Sequence, residues 1–204
     1  MKFYKFISYI FHPVLVPIVS TLLYFIVIPN QFTKEFVYQL LIIIFATTYI
    51  VPILMLSLLK KLNLIENYHL SSIDERKFPI LFFASLTTGL GIFILKSNII
   101  NLLAFSYFGG TLALVIVYLL LFGKIKASLH TLGVSGLTGF ITIISYEYKL
   151  NLLVLLILLF LLFGLVATSR LKLKAHKMSE VFLGFIVGFF TQILVYLLYT
   201  FQSI

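Results

Sequence analysis

Apolar residues along the chain gather into long runs that short polar stretches separate. The runs lie at 6–28, 36–59, 79–96, 100–123, 130–146, 151–168 and 181–201. Crossing the hydrocarbon core of a bilayer as a helix takes about 20 residues, within a range of about 17–25. The second, fourth and seventh runs meet this length clearly, whereas the third and fifth are shorter and rich in Gly and Thr. The pattern therefore predicts about seven transmembrane helices, between six and seven.

The composition indicates that lipid is the solvent for most of the molecular surface. Hydrophobic residues make up 62% of the 204 positions and charged residues only 10%, whereas a soluble domain is about a quarter charged. Backbone amides in lipid have no water to bond, so a spanning chain forms helices or a closed barrel. Barrel strands alternate apolar and polar residues, and the continuous apolar runs do not. We therefore expect an all-α, polytopic integral membrane bundle, with residues 1–204 forming a single domain.

Basic residues are shared unequally between the two sides that seven spans define. The side holding the N-terminus carries twelve of the 15 Lys and Arg residues, and the opposite side carries Lys34, Lys96 and Lys149. Short loops rich in Lys and Arg remain in the cytoplasm, so we expect a cytoplasmic N-terminus. The same side holds or borders all four histidines, which are His12, His69, His130 and His176. Any chemistry is therefore expected at this polar face.

Three polar stretches on this face, at 74–79, 124–130 and 169–180, contain the candidate functional residues. Glu180 follows His176 by four residues, so on a helix the two side chains share one face. A carboxylate bonded to one imidazole nitrogen fixes the tautomer and makes the other nitrogen a better nucleophile. The pair is therefore a candidate for nucleophilic catalysis.

Neighbouring residues supply the other groups that phosphoryl transfer requires. Arg170 offers a planar fork that suits phosphate oxygens, Ser128 supplies a hydroxyl, and His130 supplies a second imidazole. One imidazole can attack phosphorus while the other protonates the leaving oxygen. Cations hold the equatorial oxygens, where charge accumulates during the transfer. The set of side chains therefore favours phosphoryl transfer.

The spacing of these residues resembles the type 2 phosphatidic acid phosphatase superfamily. Residues 169–180 read Ser-Arg-x5-His-x3-Glu and resemble its third motif, Ser-Arg-x5-His-x3-Asp. Residues 126–130 read Lys-Ala-Ser-Leu-His and resemble its second motif, Pro-Ser-Gly-His. Residues 76–79, Arg-Lys-Phe-Pro, are the nearest match to its first motif, Lys-x6-Arg-Pro. The resemblance is concentrated in roughly residues 120–204.

Several positions depart from the family pattern. Leu129 stands where the family has Gly, which removes a place where backbone could approach phosphate closely. Glu180 stands where the family has Asp and is one methylene longer. Two apolar segments separate residues 76–79 from the second motif, whereas the first two motifs of typical members share one loop.

The resemblance implies a role for each matching residue. His176 is the nucleophile that forms a phosphohistidine, Glu180 orients it, and His130 is the general acid. The phosphate-binding residues are Ser128, Lys126, Arg170, Arg76 and Lys77. The resemblance further implies a helical bundle of a bacterial inner membrane that uses no metal and no cofactor. Many bacterial members act at the outer face of that membrane, whereas the charge distribution here favours the inner face.

Some of these features also have a purely structural interpretation. The basic cluster around Lys172 and Lys174 sets topology and attracts anionic headgroups. His12-Pro13 is interpreted as a kinked helix end with a histidine at the membrane interface. Small residues at regular spacing let helices approach closely, and we assign this packing role to Gly133, Gly136, Gly139, Gly184 and Gly188.

The sequence therefore predicts a membrane-embedded lipid phosphatase. The expected substrate carries a phosphomonoester or pyrophosphate headgroup, as in phosphatidic acid or polyprenyl pyrophosphate, and the expected partners are membrane lipids and not nucleic acid. Two other functions stay open. One is a non-catalytic lipid-binding or assembly protein on the same scaffold, which the altered first two motifs favour. The other is a small transporter, which the lack of charged residues within the spans disfavours.

Overall fold

The computed structural model describes residues 1–28, 32–66, 70, 72–97 and 100–202. The chain is 83% helical, and no strand occurs in the described ranges. The α-helices are α1 (Lys2–Ile10), α2 (Val16–Val27), α3 (Lys34–Phe45), α4 (Val51–Lys61), α5 (Ile73–Leu95), α6 (Asn101–Phe122), α7 (Leu129–Glu147), α8 (Leu153–Lys172) and α9 (Met178–Gln202). The predicted all-α fold is confirmed.

Seven helical segments in the described chain are long and apolar enough to cross a bilayer. Two of them combine shorter helices: α1 with α2 over Lys2–Val27, and α3 with α4 over Lys34–Lys61. The short third and fifth runs are both among the seven. The seven apolar helices indicate an integral membrane protein, as the composition predicts.

The first span is interrupted at His12, which has an extended backbone with φ −67° and ψ 135°. Pro13 disfavours the helical conformation of the residue before it. A short 3₁₀ turn, Pro13–Leu15, then leads into α2. The sequence interpretation of a kinked helix end therefore underestimates the change, because α1 and α2 are separate helices.

The second span is distorted where it approaches Pro52, near the start of α4. A π-helical segment, Ala46–Ile50, joins α3 to α4. Proline has no N–H to donate to the preceding turn, and a π-bulge is one way for a helix to continue past such a residue. The buried hydroxyl of Thr48 donates to the Ile44 carbonyl at 2.8 Å within this segment.

The third span begins six residues before the predicted boundary at 79, at Ile73. Ser72 caps the helix, since its hydroxyl accepts from the Glu75 amide and its own amide donates to the Glu75 carboxylate. The sixth span ends at Lys172 and not at 168. Arg76 and Arg170 therefore project from ordered helix ends, where the apolar pattern had placed them in loops.

Helix α7 lies at the centre of the bundle. In its most apolar window 72% of residues are buried, against 39% or less in the other spans. Helices α7 and α9 touch backbone to backbone, because a Cβ added at Gly184 would lie 2.6 Å from the Ser128 carbonyl oxygen and one added at Gly139 2.8 Å from that of Phe189. The predicted packing role of these glycines is confirmed.

The largest buried apolar cluster lies towards the end of the bundle that is remote from the predicted site. It includes Ile28, Ile94, Ile100 and Ile144, each at or near a helix end on that side. A smaller cluster around Ala113, between α5, α6 and α7, supports the other end. Apolar packing therefore supports the bundle at both ends, including the end that carries the polar stretches.

Candidate functional site

A cavity of about 760 Å³ opens among the helix ends of the polar face. The polar side chains around its outer part are Lys5, Ser8, His12, Arg76, Lys126, His130, Arg170 and His176. Five of the eight predicted site residues are in this set. The structure therefore brings together residues from all three polar stretches of the sequence.

The cavity continues from this cationic end towards the middle of the bundle. Phe140, ten residues and about 15 Å along α7 from His130, still lines it. Tyr107 and Gln192 are polar residues of the inner part. Ligand pockets of proteins have volumes of about 300–1,000 Å³ and are mostly apolar with a few polar groups. A charged mouth above an apolar interior suits an amphipathic ligand.

His176 is held by Glu180 as the sequence predicts. Helix α9 begins at Met178, so His176 lies in the preceding bend and not on one helical face with Glu180. The contact is nevertheless present, since Nδ1 of His176 lies 2.6 Å from the Glu180 carboxylate. The side chain of His176 is 4% exposed and that of Glu180 20%. Because a carboxylate accepts a hydrogen bond, Nδ1 carries the hydrogen and Nε2 keeps its lone pair. The imidazole therefore has the tautomer that a nucleophilic Nε2 requires.

Burial lowers the pKa of His176 below its ordinary value of 6.5. The hydrogen bond that His176 donates to Glu180 opposes this shift, and the positive charges of Arg170 and Arg76 lower the pKa further. Two guanidinium groups therefore lie close enough to the imidazole to act on it. At neutral pH the ring is uncharged, as a nucleophile must be.

The pH dependence of any reaction that uses His176 as a nucleophile follows from this shift. We expect kcat/KM to fall on acidification with a midpoint below 6.5, because protonation removes the lone pair. Arg170→Gln removes a positive charge that lowers the pKa, so its midpoint should move upward. Glu180→Gln removes the group that raises the pKa, so its midpoint should move downward. The pH profiles of the wild type, Arg170→Gln and Glu180→Gln check the order of the three midpoints. A midpoint shared by all three would contradict it.

Arg170 carries a buried hydrogen-bond donor that has no partner in the described part of the chain. Its Nη1 donates to the Ser8 hydroxyl, while its Nε is buried and unpaired. Arg76 is oriented differently, since its Nε donates to the Leu70 carbonyl at 2.8 Å. An unpaired, buried guanidinium N–H is costly. A bound anion at this end of the cavity would satisfy it.

His130 lies at the same end, against the interrupted first span. Its Nε2 is 3.1 Å from the Ser8 carbonyl oxygen, and its ring centroid is 5.3 Å from that of His12 in an edge-on arrangement. The positive charge of Arg170 acts on this ring as well. The two predicted imidazoles and Arg170 therefore converge at one cavity.

Two predicted phosphate-binding residues lie outside the cavity lining. Ser128 is fully buried, and its hydroxyl accepts from the Thr131 amide as the N-cap of α7. Its backbone amide donates to the Glu180 carbonyl at 3.0 Å, so Ser128 joins the second and third stretches without facing the ligand space. Lys77 pairs with Asp74 at 2.7 Å on the outside of α5. Phosphate binding by these two side chains stays a prediction that the cavity lining does not support.

The sequence reasoning missed the contribution of the first span. Lys5, Ser8 and His12 all line the cavity. The signal that could have indicated it is His12-Pro13, because a proline-induced break exposes polar groups within a span. His69 lies outside the described residues. Across the described chain, no three His, Asp or Glu side chains form a group that could hold a metal ion.

No protein-family model, curated protein or solved structure matches this chain. The comparisons therefore assign neither a family nor a function. What remains is the geometry of the site: a carboxylate-held imidazole, a second imidazole and two guanidinium groups around an amphipathic cavity.

Proposed function

We propose that this protein is a membrane-embedded lipid phosphatase that works through a phosphohistidine, as a divergent member of the type 2 phosphatidic acid phosphatase superfamily. The phosphomonoester or pyrophosphate headgroup binds at the cationic end of the cavity, and part of the lipid tail enters the apolar interior. The substrate class is that of phosphatidic acid or polyprenyl pyrophosphate.

The proposed reaction has two steps. In the first, Nε2 of His176 attacks phosphorus, the bond from phosphorus to the leaving oxygen breaks, and protonated His130 gives its proton to that oxygen. In the second, water attacks the phosphohistidine, neutral His130 takes a proton from it, and the bond between nitrogen and phosphorus breaks. Inorganic phosphate leaves, and both imidazoles return to their starting states.

One observation carries the proposal: a buried imidazole with its Nδ1 held by a carboxylate lines the same cavity as two guanidinium groups. The unpaired Nε of Arg170 adds a donor for a phosphate oxygen. Helices α7 and α9 both begin at this end, so their N-terminal dipoles add positive potential. Together these groups supply a nucleophile and stabilise the charge on the transferred phosphoryl group.

The proposal includes the location of the site. We place the protein in a bacterial inner membrane with its N-terminus in the cytoplasm, because the basic residues are concentrated on that side. The cavity mouth, which includes Lys5 and Arg170, then lies at the cytoplasmic leaflet. A cysteine introduced at Lys172, tested with membrane-impermeant thiol reagents, checks this orientation, because the chain has no native cysteine.

Phosphate release by the purified protein tests the function. We expect release from phosphatidic acid or polyprenyl pyrophosphate in mixed micelles, and we expect the rate to survive a metal chelator, since His176 supplies the nucleophile. Arg170→Lys tests whether the planar guanidinium is needed in addition to its charge. It keeps the charge but loses the planar fork, and it should reduce kcat/KM by about 10–100-fold. No release from either lipid by the wild type would contradict the proposal.

A non-catalytic lipid-binding function is favoured by two specific observations. Leu129, which replaces the family's Gly, lines the cavity, and the Ser128 hydroxyl caps a helix and does not face the ligand space. A protein that only binds a lipid phosphate needs the cations but not the phosphohistidine. Saturable binding of phosphatidic acid without phosphate release would favour this second function.

A further inference from the structure

One serine of helix α1 contacts both a histidine and an arginine of the candidate site. The carbonyl oxygen of Ser8 lies 3.1 Å from Nε2 of His130, and its hydroxyl oxygen lies 3.3 Å from the same nitrogen. The hydroxyl also accepts a hydrogen bond from Nη1 of Arg170. Ser8 therefore links two side chains that come from different polar stretches of the sequence.

The Ser8 carbonyl determines which nitrogen of His130 carries hydrogen. A carbonyl oxygen can only accept, so Nε2 is the donor and Nδ1 is the nitrogen left for proton exchange. Ser8 lies in the last turn of α1, where carbonyl oxygens have no partner within the helix. The bond therefore satisfies the helix end and orients the ring at the same time.

The two imidazoles of the site are held in opposite tautomers. Glu180 holds Nδ1 of His176 and leaves Nε2 for attack on phosphorus. The Ser8 carbonyl holds Nε2 of His130 and leaves Nδ1. The partner of the nucleophile is a carboxylate, whereas the partner of the general acid is a neutral carbonyl that adds no competing negative charge beside the phosphate.

We infer that Ser8 is a positioning residue of this site, fixing the ring of His130 for proton transfer and the guanidinium of Arg170 for phosphate binding. The inference rests on the proposed phosphatase function. It explains why the interrupted first span belongs to the site: the break at His12 allows α1 to end beside α7 and α8.

Ser169 provides a matched control for the attachment of α1. Its hydroxyl donates to the Tyr4 carbonyl at 2.7 Å and so docks the same helix on α8. Ser169→Ala removes one hydroxyl bond between α1 and α8, as Ser8→Ala does, but leaves the contacts of Ser8 with His130 and Arg170 in place. A difference between the two variants therefore measures positioning and not docking.

The experiment compares Ser8→Ala, Ser8→Thr and Ser169→Ala on two esters. Phosphatidic acid has an alkoxide leaving group that needs a proton, whereas p-nitrophenyl phosphate has one that does not. Ser8→Ala removes the hydroxyl that positions Arg170 but keeps the backbone carbonyl that holds His130. We therefore expect it to lower kcat on both esters by a similar factor, about 10-fold. Ser8→Thr, which keeps the hydroxyl, should recover most of the loss, and Ser169→Ala should change both rates little.

No loss in Ser8→Ala, a loss confined to phosphatidic acid, or a loss in Ser169→Ala as large as that in Ser8→Ala would overturn the inference. If the wild type hydrolyses neither ester, the proposed function fails. The tautomer still tests the contact by itself: when the His130 ring is neutral, its ¹⁵N shifts in the purified protein should show hydrogen on Nε2 and none on Nδ1. The reverse pattern would show that the Ser8 carbonyl does not hold the ring.

Discussion

Replacing His176 with alanine is expected to abolish phosphate release, with a fall in kcat of about 10³-fold or more, because no other group takes over a removed nucleophile. The side chain is only 4% exposed and its Nδ1 is committed to Glu180. Binding should persist, since the cations that hold the headgroup remain. The measurement is phosphate release under saturating lipid, together with binding of the same lipid.

Glu180→Gln separates orientation from attack. It keeps a hydrogen-bond acceptor near Nδ1 but removes the carboxylate, so we expect a loss of about 10–100-fold, well short of the loss in His176→Ala. Unfolding temperatures of the two variants serve as the control for folding. Wild-type activity in His176→Ala would show that this imidazole is not the nucleophile.

Gly188→Ala is expected to cause the largest loss of stability among single methyl additions in the bundle. The added Cβ would overlap with the Leu132 carbonyl oxygen and the Ser135 hydroxyl oxygen of α7, since it would lie much closer to both than the sum of the van der Waals radii. A carbonyl of a helix cannot rotate away, so α7 and α9 must separate. We expect a cost of about 3 kcal/mol, which corresponds to a fall in Tm of roughly 6–12 °C for a chain of this size.

Gly164→Ala is the matched control for this substitution. It adds the same methyl group within α8, where nothing lies within 4 Å of the new Cβ. The helix propensity gained from Gly to Ala is common to both variants, so the difference in Tm reports the contact between α7 and α9. Similar Tm values for the two variants would contradict the close packing of these helices.

The spans were predictable because a helix needs about 20 mostly apolar residues to cross the bilayer, and the length of each apolar run shows this directly. The residues at which the helices begin and end were less predictable. Polar residues at a helix end interrupt the apolar pattern without ending the helix, and Ser72 with Glu75 starts α5 six residues before the run begins. Arg170 remains helical for the same reason, in the last turn of α8.

The sequence could predict a contact between residues that are close along one segment, and the contact between His176 and Glu180 is present. His176 and Glu180 meet at the start of α9, where His176 lies two residues before the helix and Glu180 lies in its first turn. Spacing could not show that Ser128 turns its hydroxyl into a helix cap, since the same residue type serves a cap or a phosphate equally well. The position of Lys77 on the outer side of α5 likewise depends on how that helix is rotated in the bundle.

The contribution of Ser8 and His12 lies beyond what spacing can indicate. Their contacts with His130 join residues more than a hundred positions apart and arise from the angle at which α1 leaves the break before Pro13. That angle depends on packing against α8, for which a local sequence pattern carries no signal.

Trapping of the covalent intermediate tests the central claim most directly. The protein is mixed with lipid phosphate labelled with ³²P, quenched in alkali because phosphohistidine is labile in acid, and digested for mass spectrometry. We predict an acid-labile phosphoryl group on His176 that is absent from His176→Ala. Rapid release of labelled phosphate with no label on His176 at any time before the steady state would contradict the account.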